Sequence, residues 1–369
     1  MVSDTSRKEQ VLQWICENPF ISQQELAQRC GLSRSAVAGH IASLIREGRL
    51  LGRAYLLPQN SGQIVCIGGS NLDRKMRLCG PLCMGASNPV TQSESAGGVA
   101  RNIAENLARL GCATALLSAF GDDPAGQALR AQLQSLGVEL EASLVLPGAS
   151  SDSYCAVLDA SGEMQLALAH MHLVEQISAA WLQEKLARYQ RSAMLCADMN
   201  VPPASLEYLL QLGRQGATLC LVAVSAPKMA RLPQDLHGLD LLILNQGELA
   251  AAPGCDAAAA PQQNWAKLQA RGLRRLILTR GAQGLSFAEG QTWQEVAAPP
   301  VAQVVDVTGA GDALAAAVCA SLLRAPQDLA QACRIGMQAA QMTIQCASTV
   351  CPDLGAQLLQ PASHSDASI

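Results

Sequence analysis

The stretch that decides the fold is VVDVTGAGDALAAAV, residues 304–318. Its pattern predicts an apolar strand, a turn and an alanine-rich helix, with Asp312 at the junction of turn and helix. The start of a helix presents free backbone N–H groups and a favourable dipole to an anion. We therefore expect Gly309, Ala310 and Gly311 to form an anion hole, with Asp312 beside it as a general base. A plainer role for Asp312 is that of a helix cap.

Composition limits the class of protein. The chain has 369 residues, of which 49% are hydrophobic and 15% charged, enough for a sizeable core and two or three domains. No secretory signal pattern opens it, and no apolar run approaches the roughly 18 residues of a membrane span. We therefore expect a cytoplasmic protein with no membrane partner. The 14 cysteines are scattered without a C-x-x-C pair, which favours small core residues over disulfides or zinc ligands.

Charge and pattern set the N-terminal region apart. Residues 1–57 carry seven basic and five acidic residues, whereas the rest of the chain is acidic and brings the net charge to −4. Three helices are predicted, the second capped by Ser22 and the third by Ser33. In the third helix, the inward stripe is predicted to be Val37, Ile41, Leu44 and Ile45. Two short strands are predicted in RLLGRAYLLP, residues 49–58.

This order of elements resembles a winged helix-turn-helix domain, at residues 1–58. The resemblance implies that the third helix enters the major groove of DNA. The positions that would then contact DNA are Ser33, Arg34, Ser35, Ala38 and Gly39 on this helix, with Arg53 on the wing at phosphate. A small domain of this kind also fits a dimerisation or docking module.

The pattern changes after a short linker, residues 58–62. Apolar strand runs alternate with amphipathic helices from residue 63 to residue 361, and ASHSDASI, residues 362–369, is expected to be a tail. This alternation predicts an α/β domain with a mainly parallel sheet and helices on both faces. No internal repeat interrupts the region.

Polar residues follow several of these strands, and ligands of open α/β sheets bind beyond the carboxyl ends of the strands. The candidates are Asn71 and Asp73, Gly97, Gly98 and Asn102, Asn245 and Glu248, and Thr279, Gly281 and Gly284. Neither G-x-G-x-x-G after the first strand nor a Walker A sequence is present, so two common nucleotide motifs are excluded. Plainer roles remain open: turns for Asn71, Asp73, Gly97 and Gly98, and a helix N-terminus for Asn245 and Glu248.

Two segments together, GGVARNIAENLARLG and VDVTGAGDA, resemble the signatures of the ribokinase, or PfkB, family of sugar and nucleoside kinases. The resemblance covers residues 63–361. It implies a ribokinase-like fold with a small β lid, and phosphoryl transfer from ATP with Mg²⁺ and a monovalent cation such as K⁺. It also implies a homodimer, since members of the family often dimerise through the lid.

The resemblance implies roles for individual residues. Asp312 matches the catalytic base, and Gly309, Ala310 and Gly311 match the anion hole. The remaining matches are Asn71, Asp73, Gly97, Gly98 and Asn102 at the acceptor; Asn245 and Glu248 at phosphate and magnesium; Thr279, Gly281 and Gly284 along the nucleotide; and Asp306 and Thr308, whose backbone would bind a monovalent cation.

Several stretches outside the two signatures resemble the pseudouridine kinases of this family, among them SDSYCAVLDASGEMQLAL and STVCPDL. They imply pseudouridine as the acceptor, phosphorylated on its 5′-hydroxyl. Two places depart from these relatives: Ala169 and His170 stand where Asn-Asp is usual, and Val222 and Ala223 where Asp-Pro is usual. Alternatives are another acceptor, such as ribose, a fructose phosphate or a keto-deoxy sugar, or a transcription regulator whose kinase-like domain only senses a ligand.

Overall fold

The structure is a computed structural model that describes residues 4–18, 21–50 and 62–360. It divides into two units, Met1–Ser61 and Gly62–Ile369. Arg53, most of the hairpin predicted at 49–58, most of the linker and the tail at 362–369 lie outside the described residues. None of the helices in the described ranges is long and apolar enough to cross a membrane.

The first unit contains three helices, α1 (Asp4–Glu17), α2 (Gln23–Cys30) and α3 (Arg34–Arg46). The predicted caps are confirmed, because the Ser22 and Ser33 hydroxyls accept hydrogen bonds from the Glu25 and Ala36 amides, each at 3.1 Å. The helices enclose a core made of Val11, Ile15, Ile21, Leu26, Cys30, Val37, Ile41, Leu44 and Leu50. The prediction for Ile45 was wrong: this side chain is 39% exposed, since it lies beside the buried stripe rather than in it.

The second unit alternates strands and helices. Its strands are β1 (Ile64–Ile67), β2 (Asn71–Leu78), β3 (Val90–Gly97), β4 (Thr114–Leu117), β5 (Ala119–Gly121), β6 (Leu144–Leu146), β7 (Ser153–Leu158), β8 (Met164–His170), β9 (Met194–Asp198), β10 (Leu219–Val222), β11 (Leu241–Asn245), β12 (Arg275–Thr279), β13 (Leu285–Glu289) and β14 (Thr292–Val296). Its helices are α4 (Val99–Arg109), α5 (Pro124–Ser135), α6 (Ala179–Leu186), α7 (Pro203–Arg214), α8 (Gln246–Ala251), α9 (Pro261–Ala270), α10 (Ala310–Arg324) and α11 (Leu329–Ile344).

The central sheet has eight strands in the order β14-β13-β12-β11-β10-β9-β1-β4. The six strands from β12 to β4 are parallel, and β13 and β14 continue the sheet as an antiparallel hairpin. Successive residues of β1 belong to two different cores, Ile64 and Cys66 to one and Val65 and Ile67 to the other. Helices therefore cover both faces of the central sheet, which confirms the predicted fold class.

A second sheet, here called the lid sheet, consists of β3, β2, β7 and β8 in that order. β2 pairs with β3 in antiparallel and with β7 in parallel orientation, and β8 pairs with β7 in antiparallel orientation. Asn71 and Asp73 thus lie on a strand of this sheet rather than in a loop after β1.

The prediction of a strand at the start of the opening stretch was wrong. Residues 304–307 form no strand, and Val304, Val305 and Val307 are each at least half exposed. The place beside β12 is taken by the β13–β14 hairpin, so this segment has no strand to pair with. It runs instead along the end of α11, where the Val305 amide donates to the Ile344 carbonyl at 2.8 Å.

The helix of the opening stretch is confirmed as α10. Ten consecutive residues from Ala313 to Leu322 are buried, and half of them are alanine. Small side chains let α10 lie deep in the unit, packed against α4 and α11. The start of α10 is thereby brought to the start of α4, which follows directly from the lid sheet.

Candidate active site

The start of α10 forms a pocket for an anion. Gly309 caps the helix with φ 82°, and a Cβ here would lie 1.9 Å from the Thr349 carbonyl oxygen, so only glycine fits. Among the described residues, the amides of Gly309, Gly311 and Asp312 have no hydrogen-bond acceptor, whereas the Ala310 amide donates to Val307 at 3.3 Å. The free amides are therefore 309, 311 and 312, and the expectation for the Ala310 amide needs correction.

Asp312 stands at this pocket and contacts α4. The Asn102 amide donates to Asp312 Oδ2 at 2.8 Å, across 210 residues of sequence. Burial raises the pKa of Asp312 to about 7, helped by the charges of Asp198 and Asp73, although the bond from Asn102 opposes the rise. A carboxyl group with this pKa can accept a proton near neutral pH.

Arg101 fixes the orientation of the Asn102 side chain. Arg101 is 1% exposed, and its Nη1 donates to Asn102 Oδ1 at 3.0 Å, so the Asn102 amide nitrogen must point to Asp312. Glu105, one turn later on α4, forms ion pairs with Arg101 and with Arg109. Sequence reasoning missed Arg101 and Glu105, since helical charges at this spacing are common on solvated faces.

Asn71 and Asp73 lie on one face of β2, because residues two apart in a strand share a face. The Asn71 amide donates to Asp73 Oδ1 at 2.5 Å. Burial raises the pKa of Asp73, against the effect of this bond and of the Lys75 charge. A Cβ at Gly97 would lie 2.1 Å from Asp73 Oδ2, so Gly97 leaves the space that this carboxylate occupies. The pair offers acceptors and donors for vicinal hydroxyls.

Gly98 brings the lid sheet and α4 into contact with the loop after β1. Its φ is 99°, and a Cβ would lie 2.4 Å from the Gly69 carbonyl oxygen. Asp198 holds this junction, because its Oδ2 accepts from the amides of Gly69 and Ala100, both at 2.9 Å. Sequence reasoning missed this role of Asp198, although a carboxylate at the end of β9 follows the same rule as the other candidates.

The candidates on β11 and β12 also meet. Asn245 and Thr279 pair in register at the carboxyl ends of the two strands. Asn245 caps α8 in a capping box: its Oδ1 accepts from the Glu248 amide at 2.9 Å, and Glu248 Oε2 accepts from the Asn245 amide at 2.8 Å. Burial raises the pKa of Glu248, and the bond from Asn245 opposes it. The plainer role of this pair, a helix N-terminus, is therefore present as well.

Gly281 and Gly284 lie in the turn after β12. Gly281 has φ 57° with nothing near its absent Cβ, so it leaves an open surface beside Thr279. Gly284 has φ 89°, and a Cβ there would lie 2.0 Å from the Val296 carbonyl oxygen. Close approach of β14 thus explains why residue 284 is glycine.

Asp306 and Thr308 lie immediately before the anion pocket. Asp306 Oδ1 accepts from the Thr308 amide at 2.9 Å and from the Thr308 hydroxyl at 2.7 Å. Asp306 Oδ2 accepts from Lys75 Nζ at 2.5 Å. Both oxygens of this carboxylate are therefore used by protein groups, whereas the expected monovalent cation would be held by the backbone of Asp306 and Thr308.

The two departures from the related sequences differ in position. Ala169 shares a cross-strand row with Tyr154 and Asp73, whereas His170 is exposed in the next row, with Ser153 and Leu72. Adjacent strand residues point to opposite faces, so Ala169 shares the face of Asp73 and His170 does not. Val222 and Ala223 are 4% and 9% exposed, respectively, at the end of β10.

In the first unit, Ser33, Arg34, Ser35 and Gly39 are exposed at the start of α3, and Ala38 is half-buried. The Ser33 hydroxyl caps the helix and lies 3.0 Å from the Ser35 hydroxyl. Within the described ranges, Arg34 has no hydrogen bond or ion pair, which leaves its guanidinium available to a partner.

A profile of the pfkB family carbohydrate kinases matches residues 62–353. The chain belongs to this family. As a pfkB kinase, it is a phosphotransferase that acts on a hydroxyl group of a sugar or nucleoside. A winged helix-turn-helix DNA-binding profile matches residues 5–50, which gives the pfkB kinase an N-terminal winged helix domain.

Relatives of this pfkB kinase include the pseudouridine kinase of Escherichia coli, strain K12, at 32% identity, covering 79% of this chain and 93% of the relative. An uncharacterized sugar kinase of the same strain, YeiI, is 30% identical over 86% of this chain and 88% of its own. Among solved structures, ribokinase of Arabidopsis thaliana complexed with ribose and ATP has a TM-score of 0.72 at 19% identity, over 81% of this chain and 99% of that one. Ribokinase-like kinases use ATP and typically Mg²⁺.

Proposed function

We propose that this chain transfers the γ-phosphoryl group of ATP to the 5′-hydroxyl of a nucleoside, with pseudouridine as its acceptor. The observation that carries the proposal is the 2.8 Å contact between Asn102 and Asp312, because it joins the start of α4, which directly follows the lid sheet in the chain, to the anion pocket. The kinase domain would comprise residues 63–361. The similarity to a pseudouridine kinase over nearly the whole of that relative supports the choice of acceptor.

The proposed step uses residues in three places. Asn71 and Asp73 hold the ribose hydroxyls, while Asp312 accepts the proton of the 5′-hydroxyl. The freed oxygen forms a bond to the γ-phosphorus as the bond to the β–γ bridging oxygen breaks, and ADP leaves with that electron pair. The free amides at the start of α10 stabilise the charge on the transferring group.

The residues present fit a magnesium ion held through water. Glu248 Oε2 is used by the Asn245 amide, and no hydrogen bond to Glu248 Oε1 is found among the described residues. One free carboxylate oxygen suits Mg²⁺, which keeps several of its waters and binds few protein groups directly. When bound, Mg²⁺ would neutralise the phosphates. Asn245, Thr279 and Gly281 would lie along the nucleotide.

The decisive experiment is an acceptor panel with purified protein, ATP and Mg²⁺. Pseudouridine, uridine, ribose, fructose 6-phosphate and a keto-deoxy sugar are compared by product formation. We expect pseudouridine to have the highest kcat/KM, and the Asp312→Asn variant to lose about 10² to 10⁴-fold in activity with the same acceptor, which excludes a contaminating kinase. Preference for any other acceptor would contradict the proposed specificity, and no product from any acceptor would contradict kinase activity.

The pH dependence of kcat/KM follows from Asp312. The base must be deprotonated, and its pKa is raised to about 7, so activity is lost as pH falls through that value. We expect log kcat/KM for the acceptor to rise with slope about 1 below pH 7 and then to level off. Asn102→Ala should move the inflection to higher pH, because the bond from Asn102 lowers the pKa of Asp312. A flat profile across this range would contradict the role of Asp312.

We further propose that the winged helix domain binds DNA, so that the kinase also acts at specific DNA sites. The match to a DNA-binding profile supports this, as does Arg34 at the start of α3, which is exposed and has no ion pair with any residue that the structure describes. An active kinase with an added DNA-binding role is favoured over a pure sensor, because the free amides of α10 and Asp312 serve no purpose in sensing alone. Arg53 would be the phosphate contact of the wing.

The DNA proposal is tested with duplexes enriched by this protein from a random library. Arg34→Ala should weaken binding and reduce the slope of log Kd against log salt by about 1. The matched control is Arg46→Ala, since Arg46 is also exposed on α3 but lies about 18 Å away along the helix. Equal effects of the two substitutions, or no enrichment over scrambled DNA, would argue against a specific interface.

We also propose that the protein is a homodimer formed through the lid sheet. Met164, Leu166 and Leu168 are between 45% and 59% exposed on β8, an edge strand, and alternate positions place them on one face. Pairing with a second copy would cover this face and this edge. Sedimentation equilibrium of the purified chain measures its mass, and a monomer at micromolar concentration would contradict the proposal.

A further inference from the structure

The loop that follows α11 supports the turn before the anion pocket. At the end of α11, the Ile344 carbonyl accepts hydrogen bonds from the amides of Val305 and Asp306, at 2.8 and 3.3 Å. Further along the loop, the Thr349 carbonyl oxygen lies against Gly309, 1.9 Å from the place that a Cβ would take. The position of the free amides at the start of α10 therefore depends on this loop.

Two cysteines stand at the two ends of the loop. Cys346 Sγ and Cys351 Sγ are 2.9 Å apart, and neither thiol is bonded to another cysteine. The sulfur atoms of a disulfide are about 2.05 Å apart, so these two need to approach by only about 1 Å. Cys346 is partly exposed, so a small oxidant can reach it, whereas Cys351 is 2% exposed.

Both ends of the loop are anchored. The Cys346 amide donates to the Thr343 carbonyl of α11 at 3.0 Å. Cys351 belongs to the hydrophobic core, and the carbonyl of the next residue, Pro352, accepts from Arg109 of α4 at 3.2 Å. Residues 347–350 must therefore take up the movement when the two sulfurs bond. Thr349 is one of them, so the bond displaces the carbonyl against which Gly309 packs.

We propose that Cys346 and Cys351 are a site of reversible disulfide formation, through which oxidation by a small disulfide displaces the anion pocket and lowers turnover. The effect on turnover rests on the kinase activity proposed above, whereas formation of the bond does not. The site would make phosphoryl transfer responsive to the thiol–disulfide balance around the protein.

The chemistry is thiol–disulfide exchange. The Cys346 thiolate attacks one sulfur of the small disulfide, whose S–S bond breaks and releases one thiolate. The Cys351 thiolate then attacks Cys346 Sγ and releases the second thiolate. The two protein thiols are oxidised, and the small disulfide is reduced to two thiols that take up the two protons. The hydrogen bond with Cys351 and burial raise the pKa of Cys346 to about 11, so the exchange is faster in alkaline solution.

The first measurement detects the bond itself. The purified protein is treated with oxidised glutathione at about pH 9, alkylated, and cleaved with trypsin. Cleavage after Arg334 gives a peptide, residues 335–369, in which Cys346 and Cys351 are the only cysteines. We expect mass spectrometry to show this peptide two hydrogens lighter and without an alkyl group, and dithiothreitol to reverse both changes. A fully alkylated peptide would overturn the proposal.

The second measurement is kcat with the best acceptor of the panel, before and after oxidation. Wild type should lose about 100-fold, as expected for a misplaced anion pocket, and recover with dithiothreitol. Cys346→Ser and Cys351→Ala should not respond to the oxidant. The matched control is the Cys79→Ser, Cys83→Ser double variant, which removes two exposed thiols between β2 and β3 and should respond as wild type does. A disulfide-bonded wild type that keeps its turnover, or a loss that persists in Cys346→Ser, would contradict the proposed control.

The third measurement needs no acceptor, so it separates this proposal from the choice of pseudouridine. Amide hydrogen exchange is compared between the reduced and the oxidised protein. Exchange in residues 304–312 should differ between the two states of wild type and should not differ for Cys346→Ser, because the bond acts on the turn at Gly309. Identical exchange in both states of wild type would refute displacement of the pocket even if the acceptor panel gave no product.

Discussion

Asp312→Asn lowers kcat by about 10² to 10⁴-fold and changes the KM of the acceptor little, if Asp312 removes the proton in the chemical step. Asparagine keeps an oxygen that can accept from the Asn102 amide, so the geometry of the contact is retained while the base is lost. Steady-state kinetics with pseudouridine measure both constants. A loss confined to KM would instead indicate a role in binding.

The same substitution should stabilise the protein, and the sign depends on pH. The folded-state pKa of Asp312 is about 7, above its ordinary value of 3.8, so the native state binds this proton more tightly than the unfolded state. The free energy of unfolding therefore falls as pH rises between those values, and the cost is complete above pH 7. Asp312→Asn removes the cost, so its Tm should exceed that of wild type at pH 8 by about a few degrees, and by less at pH 5. A lower Tm at pH 8 would contradict a buried charge at this position.

Gly309→Ala has the second large effect. Alanine at φ 82° is strained, and its Cβ would lie 1.9 Å from the Thr349 carbonyl oxygen, so the turn must move. We expect a loss of about 1–3 kcal/mol in the free energy of unfolding from the backbone strain alone. Displacement of the free amides should cost about 100-fold in kcat. Urea unfolding and steady-state kinetics measure the two effects.

Gly311→Ala is the control for Gly309→Ala. Nothing lies within 4 Å of its absent Cβ, and its φ is not in the left-handed region. The substitution should leave the free energy of unfolding within about 0.5 kcal/mol of wild type. Any fall in its turnover then reports on the space for the phosphoryl group rather than on folding. If Gly309→Ala proved as stable as Gly311→Ala, the close contact with Thr349 would be wrong.

Much of the fold could be predicted because its signals are local. The alternation of apolar runs and amphipathic helices indicated the parallel sheet, and Ser22 and Ser33 marked helix starts because caps act within three residues. The prediction that failed also relied on a local signal. Val304, Val305 and Val307 have the composition of a strand, but a strand needs a partner, and the position beside β12 is occupied.

The sequence by itself determined the nature of the site: the glycines and Asp312 of the opening stretch, and the polar residues that follow other strands. Only the tertiary structure decided which of these groups meet. It joined Asn102 to Asp312, placed Arg101 behind Asn102, and brought Asp198 to the backbone of Gly69. It also set Lys75 against Asp306. The physical reason is that a hydrogen bond between distant residues leaves no periodicity in the sequence, whereas helices, strands and caps are fixed by near neighbours.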